Sequence, residues 1–357
     1  MNVNDIHAFN HDLLGWFDRN GRDLPWRQTN NPYYIWISEV MLQQTQVETV
    51  IPYYQRFIKD FPTPESLADS DEQRVLKDWE GLGYYSRARN LQTGVREVVA
   101  TYGGKLPQDK DQLLRLHGIG PYTAGALLSI AFHRPEPAID GNVMRVMSRL
   151  FEIDADIAKA KSKKVFADLV GALIAEAEPS AFSQALMDLG AMVCRPKSPD
   201  CQHCPVQRHC RAKVRGTQLN YPVKRAKAKP VDRYYAVLLA EDRSGQCIIE
   251  QRPLRGLLAG LWQFPMLETG GQPSRLAVRE MLMKAYPQAS DIQNMALSYV
   301  HQFSHLTWHL SLYRLQLPAD LSLRSNQRRV AKGELEHYPF PVAHQKVIDW
   351  LKTSIDG

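Results

Sequence analysis

The chain has 357 residues, enough for two domains of ordinary size, and its apolar (44%) and charged (23%) fractions are those of a folded, water-soluble protein. Its formal net charge of +6 permits a polyanionic partner without demanding one. The opening MNVNDIHAFNHDLL lacks the basic-then-apolar order of a secretion signal, and no apolar run reaches the roughly 18 residues of a membrane helix, so the expected location is the cytoplasm, where thiols stay reduced.

Residues 1–212 read as a helical domain. LPWR, from Leu24, precedes YYIWISEVMLQQTQVETV, in which Glu39 stands among Ile35, Trp36, Ile37, Val40, Met41 and Leu42. A carboxyl there is either a surface group on an amphipathic helix or an acid kept protonated by a dry pocket. TQVETVIPYYQRFIKDF puts Val47, Val50, Ile51, Tyr54, Phe57, Ile58 and Phe61 on one helical face, with Pro52 expected to kink the helix or to open its second part. DSDEQRVLKDW predicts a helix capped by Ser70, with Gln73 completing a capping box. WEGLGYYSRARNL is a glycine-rich loop with aromatics and arginines. KDQLLRL and PYTAGALLSIAF are two further helices separated by HGIG, so 109–132 reads as a helix-hairpin-helix. Gly118 and Gly120 permit a tight turn with outward N–H groups, and Pro121 opens the second helix. Free amides at a positive helix end fit a nucleic-acid phosphate. Asp140, in AIDGNVMRV, stands at a helix start where it would serve as a cap.

Four of the five cysteines then fall close together, Cys194, Cys201, Cys204 and Cys210, inside a basic loop (194–210). In reduced surroundings they read as metal ligands. Zinc and a [4Fe–4S] cluster both fit four thiolates, and the single Cys-x-x-Cys unit favours the cluster, because zinc ribbons usually pair two such units. The remaining Cys247, in QCIIEQR, reads as a small buried apolar side chain. Residues 213–232 carry six Lys or Arg and one acid, without apolar periodicity, and read as a linker. Residues 233–357 read as an α+β domain. YYAVLLA and QCIIEQR form a hairpin across DRSG, and LTWHLSLYRLQL alternates Trp308, Leu310 and Leu312 against His309, Ser311 and Tyr313. Helices are expected near 274–285 and 342–351.

The hairpin with its downstream aspartate, Glu39 in its apolar motif, the four cysteines and HQFSH at His301 together resemble the MutY family of adenine DNA glycosylases over nearly the whole chain. The resemblance implies an all-helical glycosylase domain with a [4Fe–4S] loop, then a Nudix-like α+β domain. It implies a monofunctional hydrolase of base excision repair that removes adenine opposite 8-oxoguanine or guanine. The partner would be double-stranded DNA carrying such a mispair, bound by a monomer away from any membrane.

Cleaving that N-glycosidic bond needs a proton for the leaving base and a stabiliser for the oxocarbenium-like sugar, which two carboxyls supply. By the resemblance Glu39 is the acid and Asp140 the anionic stabiliser, with Asn142 and Tyr122 holding the aspartate and the sugar. Trp26, Arg27, Leu42 and Gln184 match positions lining the adenine pocket. The base must be flipped out of the duplex, so Gln44, Leu82 and Tyr84 match intercalating positions, while Gln43 and Thr45 touch the opposite base. Phe303, Ser304 and His305 match the loop that reads 8-oxoguanine. Nudix hydrolysis is not expected, because VREMLMKAY has Met283 and Lys284 where paired acids belong. Where the family usually has proline before the hairpin glycine, this chain has His117, which offers a phosphate contact in its place.

Two rival readings remain at this point. One is an endonuclease III-like glycosylase/lyase for oxidised pyrimidines, opposed by the phenol of Tyr122 where that chemistry needs an amine. The other is a non-catalytic, cluster-bearing DNA-binding protein, opposed by the paired Glu39 and Asp140.

Overall fold

The computed structural model describes residues 3–224, 229–272 and 274–355. In chain order the helices are α1 (Val3–Asn20), α2 (Pro32–Leu42), α3 (Val47–Asp60), α4 (Pro64–Ala68), α5 (Glu72–Asp78), α6 (Ser86–Tyr102), α7 (Lys110–Arg115), α8 (Pro121–Ala126), α9 (Gly141–Phe151), α10 (Ser162–Ile174), α11 (Pro179–Asp188), α12 (Arg211–Arg215), α13 (Arg275–Ala285) and α14 (Val342–Ile355). The strands are β1 (Val231–Asp242), β2 (Cys247–Gln251), β3 (Trp262–Gln263), β4 (Met266–Glu268), β5 (Ser290–Gln302), β6 (Leu306–Leu317) and β7 (Gln327–Val330). The chain divides into two compact units: Met1–Asp69 with Asn90–Ala226, and Ser70–Arg89 with Lys227–Gly357.

In the first unit α2 buries Tyr33 and every residue from Ile35 to Met41. A helix that is apolar all round belongs in an interior, and this one carries Glu39 in with it. The α3 helix buries Val50, Tyr54 and Phe57 on the expected face, and Pro52 lies inside a single helix. A second core joins Phe9 and Leu13 of α1 with Val146 and Met147 of α9, Phe166 and Val170 of α10, and Phe182 and Leu186 of α11. The α8 and α11 helices each continue into a π-turn, at Leu127–Ala131 and Leu189–Val193.

Residues 213–224 are not a free linker. The Arg149 guanidinium of α9 donates from Nε to the carbonyls of Gln218 (2.8 Å) and Tyr221 (3.1 Å), and Ile157 N donates to Val223 O (3.1 Å). A buried arginine needs many acceptors, and the backbone of this segment supplies two of them. Residues 213–224, expected to be linker, thus fold with the first compact unit, and 225–228 of the expected linker lie outside the described residues.

The second unit is built on a seven-stranded mixed sheet of order β3-β2-β1-β6-β5, with β4 against β1 and β7 against β2. The β1–β2 hairpin forms as expected, and Cys247 is fully buried in β2. Strand β6 pairs parallel with β1 from Val231↔Leu306 to Asp242↔Leu317. The sequence suggested one apolar face for β6, yet both faces are covered. Trp308, Leu310 and Leu312 pack with Ala343, Val347 and Leu351 of α14. Tyr313, Leu315 and Leu317 pack with Val278 and Leu282 of α13.

Residues 70–89, assigned from sequence to the helical domain, belong to this unit. The cap of α5 is Asp71, whose side chain accepts from Gln73 N, in place of the expected Ser70. Gln73 exchanges hydrogen bonds with Gly260 O (3.2 Å) and Trp262 Nε1 (3.0 Å). Glu80 accepts from Phe340 N at 2.7 Å, and Lys77 donates to Tyr338 O at 3.3 Å. These polar partners lie far away in sequence, so no local pattern announces them.

Candidate active site

A cavity of about 430 Å³ opens in the first unit, with Glu39 and Asp140 both in its lining. Glu39 projects from α2 and is 4% exposed. Asp140 is the cap of α9. Its Oδ1 accepts from Val143 N (2.7 Å) and its Oδ2 from Asn142 Nδ2 (2.9 Å). Asn142 is held in turn by Arg145, whose Nη2 donates to Asn142 Oδ1 (2.8 Å) and to Gly190 O (2.8 Å). A Cβ on Gly190 would come within 2.6 Å of the Asn142 Cβ, so only glycine lets the end of α11 lie this close to the start of α9. Tyr122, from the first turn of α8, donates its hydroxyl to Glu39 Oε2 at 2.5 Å.

The two carboxyls differ in their supports. Burial first, with the Asp140 charge adding to it, raises the Glu39 pKa to about 7 against the pull of Tyr122 and Arg27. Burial also raises Asp140, which departs from the ionised reading of a simple cap, but Val143 N–H, Asn142 and Arg145 pull it back. Asp140 thus has several donors for its anion and Glu39 has one short phenolic bond, so a shared proton resides on Glu39. The Tyr122 phenol is pushed well above its ordinary pKa, by burial first and by Glu39 second, and stays neutral.

Trp26, Arg27, Leu42 and Gln184 all line the same cavity, as expected. Trp26 meets Tyr54 edge to face at 5.4 Å, and Gln184 donates to Ser180 Oγ at 3.0 Å. Arg27 is clamped by Asp188, with Nη1 and Nη2 donating at 2.8 and 2.9 Å. Arg22 donates to the same carboxylate from N, Nε and Nη2. Burial pushes the Asp188 pKa up, but the two arginines outweigh it and hold the group ionised. Arg22, Arg145 and Asp188 were missed by the sequence reading. Asp188 stands one helical turn after Gln184 and Arg145 one turn after Asn142, a spacing that could have found both.

The hairpin turn lies beside this cavity. Gly118 has φ +78°, and a Cβ there would meet Asn90 at 3.1 Å. Gly120 caps α8, with Pro121 as the first helical residue. His117 is exposed at the turn and paired with Glu97. Its ring pairs with the Glu97 carboxylate and its N–H donates to Glu97 Oε2 at 2.9 Å, which ties the turn to α6. Gln43, Gln44 and Thr45 line an open trough with Gly118, Gly120 and Asp140. Gln44 is exposed in a left-handed backbone conformation (φ 60°), and Gln43 donates to Thr123 Oγ1 at 3.5 Å.

In the second unit Leu82 and Tyr84 part company. Leu82 is only 6% exposed, with its N–H bonded to Trp79 O, so it is a core side chain there and not a protruding wedge. Tyr84 is 45% exposed with φ 47°. Its hydroxyl lies 3.0 Å from Ser304 Oγ. Phe303 anchors that loop by packing against Trp308 (4.8 Å), while Ser304 and His305 are exposed.

The four cysteines are free thiols around one small hollow of about 20 Å³, shared with Arg149. Arg149 Nη1 lies 3.3 Å from Cys194 Sγ, and its other donors hold the carbonyls of Arg195 and Pro196. Burial pushes the Cys204 thiol up to about 12, with the neighbouring cysteines adding to it, so four thiolates here require a cationic guest. The all-thiol donor set around one hollow fits a sulfur-ligated metal centre, zinc or an iron–sulfur cluster alike.

Residues 37–171 match the HhH-GPD superfamily of base excision DNA repair proteins, and residues 235–350 match the NUDIX domain family. The adenine DNA glycosylase of Rattus norvegicus is 38% identical over 380 residues, covering 90% of this chain and 73% of the relative. That of Buchnera aphidicola subsp. Acyrthosiphon pisum is 30% identical, covering 98% of this chain and 99% of the relative. The solved structure of a thermostable thymine-DNA glycosylase is 28% identical with a TM-score of 0.55, covering 59% of this chain and 98% of that one.

Proposed function

The chain belongs to the adenine DNA glycosylase family of base-excision-repair proteins, and from that premise we propose that it removes adenine paired with 8-oxoguanine, or with guanine, and leaves an abasic site. The observation that carries this is one cavity holding a carboxyl raised to about 7, Glu39, and a second carboxyl, Asp140, held by helix-cap donors. Glu39 gives its proton to the flipped adenine and, once the base has left, takes one from the incoming water. Asp140 stabilises the cationic sugar, with Asn142 fixing the carboxylate. Tyr122 offers no amine for a Schiff base, so the backbone is left uncut. Trp26 and Arg27 hold the base, and Gln44 and Tyr84 fill the stack it leaves.

Ser304 reads the lesion by a hydrogen bond, on a Nudix-like scaffold whose α13 keeps Glu280 but has Met283 and Lys284 in place of the paired acids of a metal-dependent hydrolase. Cys194, Cys201, Cys204 and Cys210 hold a [4Fe–4S] cluster, which when bound staples the basic loop that faces DNA. The protein acts as a monomer in the cytoplasm. No described helix is long and apolar enough to cross a membrane.

Two duplexes test the reading, one with adenine opposite 8-oxoguanine and one with an oxidised pyrimidine opposite guanine. The expected result is a break in the adenine strand only after alkali, lost in Glu39→Gln while duplex binding survives. Breaks at the pyrimidine without alkali would establish the lyase reading instead, and no break in either duplex would leave a binding protein.

A further inference from the structure

The trough beside the catalytic cavity has a volume of about 1000 Å³ and runs from the hairpin glycines past Asp140 to Lys163 and Lys224. Several basic side chains of the first unit already have partners. Arg145 is bonded to Asn142 and Cys194 O, Arg149 to the cysteine loop, Lys213 to Gln207 and Arg215 to Glu152. Lys163 and Lys224 are exposed, and neither has an ion-pair partner among the described residues.

Their placement is not accidental to the fold. Lys224 follows Val223, whose carbonyl is held by Ile157 N, and the segment before it is held by Arg149. The residue thus leaves a fixed point, although its neighbourhood in sequence looks like loose linker. Lys163 lies in the first turn of α10, with Lys161 as its cap and Lys164 next, and this turn has no acid. Cations at the positive end of a helix are unfavourable unless an anion comes to them.

We propose that Lys163 and Lys224 grip backbone phosphates of the DNA strand seated in this trough, making the 217–224 strap part of the nucleic-acid surface. The inference rests on the DNA glycosylase reading and deepens it. The hairpin amides would hold the strand at one end of the trough and the two ammonium groups would hold it beyond the extruded nucleotide. As point charges on flexible stems they confer affinity without sequence preference.

The test is equilibrium binding of the full chain to an undamaged, fully paired duplex across a salt series. Each phosphate contact contributes a slope of about 0.9 in log K against log salt. Lys163→Gln/Lys224→Gln should lower the slope by about 1.8, and each single change by about half of that, with an unchanged thermal midpoint. Lys163→Arg/Lys224→Arg should restore it. An unaltered slope in the double glutamine variant would overturn the proposal, as would a loss that arginine does not repair. A wild-type protein with no salt-dependent duplex binding would instead sink the DNA reading itself.

Discussion

Glu39 and Asp140 carry the same functional group, and their neighbours set them to different tasks. One lies inside an apolar helix with a single phenolic donor, the other at a helix start with backbone, amide and guanidinium support. Because Glu39 titrates near 7 and works as an acid, its active form is present below that pH. Single-turnover adenine release should be flat on the acid side and should fall about tenfold per pH unit above about 7. A profile rising through that range would mean that Glu39 starts the reaction as a base. Glu39 and Asp140 were legible from residue types and motif. The Asp188 clamp on Arg22 and Arg27 was not, because its three members meet only in the fold.

At the scale of elements, the site depends on how closely the end of α11 approaches the start of α9. Gly190→Ala should push Asn142 off Asp140, at a cost of roughly 1–3 kcal/mol in stability. The rate at saturating duplex should drop more than the affinity does. An unchanged rate in a destabilised variant would show that Asn142 does not position Asp140. The strongly periodic α3 was read correctly because its burial follows its own pattern, whereas β6 was expected to bury one face and buries both. Ser70, Leu82 and 213–224 were misread for one reason. Sequence pattern does not show which of two neighbouring residues takes the cap, which loop side chain turns inward, or which partner a polar segment meets: the Asp71 cap, the burial of Leu82 and the distant Arg149 guanidinium.

At the scale of the molecule, the proposed function gives base removal and lesion reading to different units. Ser304→Ala should reduce preference for 8-oxoguanine over guanine by roughly 1–3 kcal/mol, read as the ratio of release rates from the two mispairs. An unchanged ratio would remove Ser304 from that role. The division of labour does not follow the order of the chain. Residues 70–89 are encoded among the helices but fold with the tail, where Gln73, Lys77 and Glu80 find their partners. A truncation after Ala226 would therefore spare every acid of the active centre yet remove the floor beneath the loop that presents Tyr84. Such a remnant would cut a base already swung out of the helix far better than one it had to pry loose.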